Sequence, residues 1–222
     1  MTIVEVKLLD SDVTIRRKIL REMTVQLNKA FEIVQPKLTE NIRVVVEFLI
    51  RENPTVKKIL SGDKLLGELG IPSEETRFGD IISLLKQQVE VKRVKARVVG
   101  GTRIQGGLKI LAIKSDYTEI LSSPAASFLT KKGVIIPYLE WLLTQGVRIL
   151  VRDYVVMFGP FKGSRTGLAL MRKQEGSGFR IEPPDAGTIN NNFITRIIAT
   201  IPDSILENLL DKRLSEVLNR AS

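Results

Sequence analysis

The hydrophobic period of this chain first changes near residue 89. Before that point apolar residues recur every three or four positions, which is the spacing of a helix. After it, residues 93–98 alternate between basic and apolar side chains, which is the two-residue repeat of a strand. Helices and strands that are segregated along one chain predict an α+β fold.

The first 88 residues are predicted to be mainly helical. An amphipathic run covers residues 11–34, and Pro36 interrupts it. The helix after Pro36 is apolar nearly all round, so we expect it to be buried on more than one side. Asn53-Pro54 opens a short helix that stops at Ser61-Gly62, and another short helix covers residues 63–69.

Strands dominate the prediction for residues 89–190. Besides residues 93–98, strands are expected at 108–113, 147–158, 168–173 and 179–182, with turns at Gly100-Gly101, Gly106-Gly107 and 175–178. Pro137 and Gly146 bracket a short helix. Two helices follow between residues 191 and 220, the second capped by Asp203.

We therefore expect one α+β domain over residues 1–222. In it, a helical N-terminal half (1–88) packs on an antiparallel β-sheet that is interspersed with short helices (89–190), and C-terminal helices (191–222) complete it. A chain of this length buries roughly 70% of its extended-chain surface, so a substantial core is available.

Cysteine and histidine are both missing from the chain. Their absence excludes disulfides, thiolate nucleophiles, Cys/His zinc sites and Ser-His or Cys-His catalytic pairs. Carboxylate pairs such as Asp116 with Glu119, or Glu74 with Glu75, lack a partner motif and are interpreted as solvated loop carboxylates. We therefore expect no catalytic residue, no metal ligand and no cofactor, and we expect the protein not to be an enzyme.

The chain has a net charge of +9, and its basic residues are concentrated in two blocks. In the first, Arg93, Lys95 and Arg97 share one face of a strand, which either tracks a nucleic-acid backbone or is simply a solvated face. In the second, Lys162 and Arg165 lie in a glycine-rich loop. Both blocks are candidate surfaces for DNA or for a protein partner. No run of about 18 apolar residues predicts a membrane span, so we expect a soluble protein without a membrane partner.

The glycine-rich loop contains Gly159, Gly163 and Gly167 between two predicted strands. A phosphate cradle is one interpretation. A P-loop, however, leads into a helix, whereas this loop leads into a strand, so a flexible hairpin tip that reaches a partner or a nucleic acid is favoured. Trp141 is either an interface anchor or, as its leucine neighbours favour, a core residue.

Three stretches resemble neck and tail-completion proteins of tailed bacteriophages, especially contractile-tailed phages of cyanobacteria and related marine hosts. The first is the amphipathic helices running into residues 61–71 (SGDKLLGELGI). The second comprises 113–117 (IKSDY), 132–133 (KG) and 138–143 (YLEWLL). The third and most specific comprises 164–171 (SRTGLALM), 179–188 (FRIEPPDAGT) and 191–196 (NNFITR).

The resemblance implies a virion structural protein that is assembled in the host cytoplasm. Copies would form a ring, a hexamer or a dodecamer, between the head connector and the tail, as a tail terminator or a neck protein nearer the connector. Its partners would be other neck, connector and tail proteins, with packaged DNA passing through without sequence specificity. The alternatives are a DNA-binding accessory protein and another tail or baseplate structural protein.

Overall fold

The structure, a computed structural model, describes residues 11–72, 77–111 and 117–219. Over these residues the protein is α+β, as predicted, and its strands pair as three separate antiparallel hairpins. The helices are α1 (Asp12–Glu52), α2 (Pro54–Leu60), α3 (Lys64–Leu69), α4 (Phe78–Gln87), α5 (Thr118–Leu121), α6 (Tyr138–Leu143), α7 (Phe193–Ala199) and α8 (Asp203–Leu218). The strands are β1 (Glu90–Val99), β2 (Arg103–Leu111), β3 (Phe128–Leu129), β4 (Ile135–Ile136), β5 (Val151–Phe158) and β6 (Ala169–Phe179). None of the described helices combines the length and apolar character that a membrane span requires.

Pro36 does not end the first helix, contrary to the prediction, because α1 continues through it for 41 residues. A proline inside a helix costs roughly 3 kcal/mol, since it removes one hydrogen bond and crowds the preceding turn. Here Pro36 is exposed, while Val34 and Leu38 on either side of it are almost completely buried. Burial of each such side chain contributes about 1.5–3 kcal/mol, which offsets the cost of the proline.

Capping side chains set the short helices where the sequence predicts them. The Asn53 side chain accepts a hydrogen bond from the backbone N–H of Thr55 at 3.0 Å, and Asp63 caps α3 at the N–H of Lys64. Gly70 ends α3 in the left-handed conformation, with φ of 68°. The helices predicted at 53–62, at 63–69 and before Gly146 are therefore confirmed, as are the two C-terminal helices.

The described residues form two compact units. The first unit consists of residues 11–41, 90–111 and 203–219, that is, most of α1, the β1–β2 hairpin and α8. The second unit consists of residues 42–72, 77–89 and 117–202. The expectation of a single domain stays a prediction.

The second unit contains a deep apolar core. Phe78 and Phe193 are fully buried in it with their ring centroids 6.1 Å apart, and Leu139 of α6 is completely covered. Trp141 is half-buried and meets Phe179 edge to face at 6.2 Å. Trp141 therefore packs on the second unit's own β-hairpin.

Two predicted turns lie inside strands. Gly106 and Gly107 belong to β2, while the β1–β2 turn is at Gly100-Gly101. Similarly, β6 is one strand, although two strands joined by a turn were predicted. Residues 174–177 bulge out opposite Asp153, whose carboxylate accepts a hydrogen bond from the backbone N–H of Gly176 at 3.0 Å. Glycines that signal a turn here permit bulges instead.

Candidate interaction surfaces

The basic side chains of β1 do not share one face. A bulge lies between Val94 and Arg97, where β1 has one residue more than its partner strand. An extra residue reverses the alternation of side chains, so Arg93 and Arg97 lie on opposite faces of the hairpin. Arg93 forms an ion pair with Glu32 of α1, with Nη1 3.2 Å from Oε2. The predicted single basic face is therefore wrong.

Asn28 of α1 holds this bulge in place. Its side-chain amide donates to the carbonyl of Ala96 at 3.0 Å and accepts from the N–H of Ala96 at 2.8 Å, as a neighbouring strand would. A Cβ on Gly106 would lie 2.4 Å from the Cα of Ala96, so only glycine allows the two backbones to approach this closely. Lys95 and Arg97 are exposed and line one depression of about 620 Å³ beside the bulge.

The glycine-rich loop between β5 and β6 forms most of its hydrogen bonds within itself. The Ser164 hydroxyl donates to the carbonyl of Ala169 at 2.6 Å, and Thr166 Oγ1 accepts from the N–H groups of Leu168 and Ala169. Since these hydroxyl and N–H groups bond within the loop, they are not directed at an anion. The loop therefore has the geometry of a hairpin tip rather than of a phosphate cradle. Its predicted flexibility and its reach to a partner or a nucleic acid stay predictions.

The two cations of this loop differ in their surroundings. Lys162 is exposed at the tip, whereas the Arg165 guanidinium folds against the end of α3, where a Cβ on Gly70 would lie 2.7 Å from Nη2. A cation near a helix C-terminus is favourable. Gly159, Gly163 and Gly167 all have positive φ, at 146°, 94° and 70°. Lys162 and Arg165 belong to the second unit, and Arg93, Lys95 and Arg97 belong to the first.

Residues 128–136, the β3–β4 hairpin, expose three large aliphatic side chains and are called the apolar hairpin below. Leu129 is 65% exposed, Val134 58% and Ile135 64%, and Leu129 faces Ile135 across the two strands. Thr130, which is buried, fixes the turn by accepting from the N–H of Val134 at 3.0 Å. Exposed Lys131 and Lys132 form the tip. Exposed aliphatic side chains that lie next to one another mark a candidate contact surface.

A groove lies between α3 and the β5–β6 hairpin and is called the Glu68 groove. Its volume is about 260 Å³, and its lining consists of Glu68, Val155, Val156, Phe158, Gly178, Phe179, Arg180 and Glu182. Gly67 allows α3 to pack closely against the residues at the start of β6, since a Cβ on Gly67 would lie 3.0 Å from the Cβ of Leu168. Arg180 pairs with Glu182 at 2.7 Å, and Lys64 lies over the Phe158 ring at 5.6 Å.

Glu68 is the unpaired charge of this lining. Among the described residues, none forms a hydrogen bond or an ion pair with its half-buried carboxylate. Burial raises the pKa of Glu68, and the charges of Asp185 and Glu182 raise it further, while Lys58 and Lys64 lower it. A carboxylate in this state gains from a cation brought close to it.

The buried polar side chains of the second unit stabilise its fold. Asn192 is completely buried; its amide nitrogen donates to the carbonyls of Leu143 and Thr188, and its oxygen accepts from the N–H groups of Ile194 and Thr195. These backbone groups belong to the end of α6, a loop and the start of α7, and the Asn192 side chain provides each of them with a buried hydrogen-bond partner. Asn192 therefore has a structural role.

Asp185 and Tyr117 are bound in the same way. The Asp185 carboxylate accepts from Thr55 Oγ1 and from Lys58 Nζ, each at 2.7 Å. Burial raises the pKa of Tyr117, whose hydroxyl meets the amide of Asn192 at 3.1 Å. Each of these groups is hydrogen-bonded by neighbouring side chains of the same unit, an arrangement that suits packing rather than proton transfer to a substrate.

The carboxylates considered from the sequence do not assemble into a described site. Asp116, Glu74 and Glu75 lie outside the described residues, as do residues 113–116 of the second phage-like stretch. Glu119 accepts from Gln88 at 3.4 Å. Within the described ranges, no three acidic side chains come close enough to hold a metal ion.

Sequence reasoning missed both the apolar hairpin and the Glu68 groove. A signal for the hairpin exists, since a Thr-Lys-Lys-Gly turn separates two apolar pairs. For Glu68 the sequence contains no signal, because its burial depends on strands about 90–110 residues further along the chain. Val44 and Phe48 of α1, predicted to be buried, are 55% and 61% exposed.

Comparison with protein-family models, curated proteins and solved structures finds no match to this chain.

Proposed function

We propose that this protein is a structural subunit of a phage neck or tail-completion region, in which copies form a ring that joins the head connector to the tail. The observation that carries the structural role is the apolar hairpin. Leu129, Val134 and Ile135 present aliphatic surface to solvent, and contiguous exposed apolar surface marks a contact site for another protein. The assignment to the phage neck rests on the resemblance of the three stretches.

The most specific of these stretches contributes to the framework of the second unit. Ser164 and Thr166 cap the β5–β6 hairpin, Asp185 joins a loop to α2, and Asn192 starts α7. A motif whose polar residues hold the fold together fits a protein that acts through its shape. We expect no catalysis and no cofactor.

The proposed setting is the virion, after assembly in the host cytoplasm. The partners would be further copies in a hexameric or dodecameric ring, neighbouring neck, connector and tail proteins, and packaged DNA that passes through without sequence-specific contacts. No membrane partner is expected. A closed ring needs two different complementary surfaces on each copy.

A phage that lacks the gene for this protein tests the function. Capsids should still form and package DNA, because neither step depends on this subunit, and micrographs should show filled or leaking heads beside unattached tails. Purified protein added to that lysate should restore infectious particles. Joined, intact virions in the mutant, or a block before capsid formation, would overturn the proposal.

A DNA-binding accessory protein is the second candidate, favoured by exposed Lys95 and Arg97 beside the β1 bulge. Two phosphate contacts predict that removing both charges makes the negative slope of log affinity against log salt shallower by roughly 1.8. Arg93, which pairs with Glu32, should contribute less. A slope unchanged in Lys95→Ala/Arg97→Ala would exclude these residues as phosphate contacts.

A further inference from the structure

The apolar hairpin and the Glu68 groove are complementary surfaces of one chain. We propose that the apolar hairpin of one copy docks into the Glu68 groove of the next copy, joining the chains head to tail. Both surfaces belong to the second unit. The proposal rests on the proposed self-assembling function and names the surfaces that perform it.

The size and lining of the groove fit protein side chains better than a small molecule. Its volume of about 260 Å³ lies below the roughly 300–1,000 Å³ of ligand pockets. Val156 and Phe158 provide an apolar wall, and Phe158 is 45% exposed in the single chain. Docking of Leu129 and Ile135 against this wall removes apolar surface from water on both partners.

The charges of the two surfaces also match. Lys131 and Lys132 place two cations at the tip of the hairpin, beside its aliphatic patch. In the groove, Arg180 already pairs with Glu182, and nearby Lys58 pairs with Asp185, which leaves the Glu68 carboxylate to receive a cation. Lys64 lies over the Phe158 ring at the edge of the groove. The proposed ion pair is therefore between the lysines at the hairpin tip and the Glu68 carboxylate.

Contacts between two different surfaces propagate from copy to copy. An interface in which the apolar hairpin of each copy meets the Glu68 groove of the next is heterologous. It produces a closed ring when the rotation from one copy to the next returns to the first copy. A single chain of this kind exposes both surfaces, which agrees with the exposure of Leu129, Val134, Ile135 and Phe158.

Cysteine trapping tests the contact directly, because the chain has no cysteine of its own. Two variants are made, Val134→Cys in the hairpin and Val156→Cys in the groove, and their mixture is oxidised. Disulfide-linked heterodimers should form roughly tenfold faster than in a control mixture of Val147→Cys with Val156→Cys, a difference equivalent to about 1.4 kcal/mol. Val147 is a suitable control because it is 52% exposed on the same unit.

Charge reversal then tests the proposed pairing. Glu68→Lys in the groove chain should slow trapping about tenfold, and Lys131→Glu/Lys132→Glu in the hairpin chain should restore it, because opposite charges face each other again. Lys162→Glu, which reverses another exposed loop cation, should leave the rate unchanged. Equal rates in all mixtures, equally fast trapping of Val134→Cys alone, or no response to either reversal would overturn the interface.

Complementation of the gene-deficient phage lysate separates this proposal from the proposed function. Wild-type protein should restore joined particles, and Lys131→Glu/Lys132→Glu should not. If the charge-reversed protein restores particles as well as the wild type does, the interface is wrong while the function stands. If virions join without any added protein while trapping succeeds, the function is wrong and the interface stands.

Discussion

The two units of this protein bury their apolar residues very differently. Of 36 buried hydrophobic residues among those described, only six lie in the first unit, namely Ala30, Phe31, Val34, Leu38, Val91 and Ala96. The helix α8 buries none of its side chains fully, and Ile19 and Met23 of α1 are about half exposed. The second unit has a closed core that is tied by buried polar groups. The comparison indicates that burial of apolar side chains contributes far less to the stability of the first unit than to that of the second.

One substitution made in both units should show the largest difference. Leu139→Ala in the second unit should cost about 2–5 kcal/mol of unfolding free energy, since Leu139 is completely buried. Leu209→Ala in α8 should cost roughly 1 kcal/mol, because that side chain is only partly covered. Denaturant unfolding measures both values. Equal costs would remove the distinction between the units.

Two asparagines that bind backbone groups, one in each unit, give the next comparison. Asn192→Ala removes a side-chain partner from four backbone groups at a completely buried position and should cost about 3 kcal/mol or more. Asn28→Ala loses the bonds to Ala96 at a half-exposed position and should cost about 1–2 kcal/mol. Thermal unfolding of both variants measures the difference. A larger loss for Asn28→Ala would reverse the comparison.

Gly106→Ala should damage only the first unit. The new Cβ meets the Ala96 backbone, so amide exchange should accelerate in residues 90–111 while the second unit keeps its protection. Gly79→Ala in α4 is the control, because a Cβ there has no neighbour within 4 Å and alanine favours a helix by about 1 kcal/mol. Faster exchange throughout the second unit in Gly106→Ala would show that the units unfold together.

The smallest effect concerns pH and Glu68. Burial raises the pKa of Glu68, so the folded state favours the protonated carboxyl group. Protonated Glu68 therefore contributes to the free energy of unfolding at low pH, and this contribution is lost as the pH rises above the ordinary glutamate pKa of 4.5. Glu68→Gln should therefore raise Tm at pH 7 slightly, by about 1 °C because a half-exposed carboxylate is screened. The difference should vanish below pH 4.5. A lower Tm at pH 7 would show that the carboxylate is stabilised within the single chain.

Local signals were sufficient for much of the fold. Asn53 and Gly70 act on their own helix ends, so the sequence alone locates α2 and α3. The prediction that the helix ends at Pro36 was wrong because burial of Val34 and Leu38, a tertiary effect, outweighs the cost of a proline inside a helix. The β1 bulge depends on Asn28, 68 residues away from Ala96, so no local pattern reveals that Arg93 and Arg97 diverge.

The candidate surfaces were harder to predict for the same reason. Exposure of Leu129 and Ile135 is a property of the folded chain, since an apolar pair in a sequence is more often part of a core. The Glu68 groove exists only after the β5–β6 hairpin packs on α3. The two surfaces with which we explain assembly are therefore both tertiary features.

The mass of the native species tests the account most directly. Sedimentation of the 24.9 kDa chain over a range of concentrations, alone and with isolated tails or connectors, distinguishes a ring subunit from a solitary protein. We predict weak association of the free chain and a closed species of six or twelve copies on the tail or connector. A chain that stays monomeric at every concentration and does not bind tails or connectors would contradict the proposed ring.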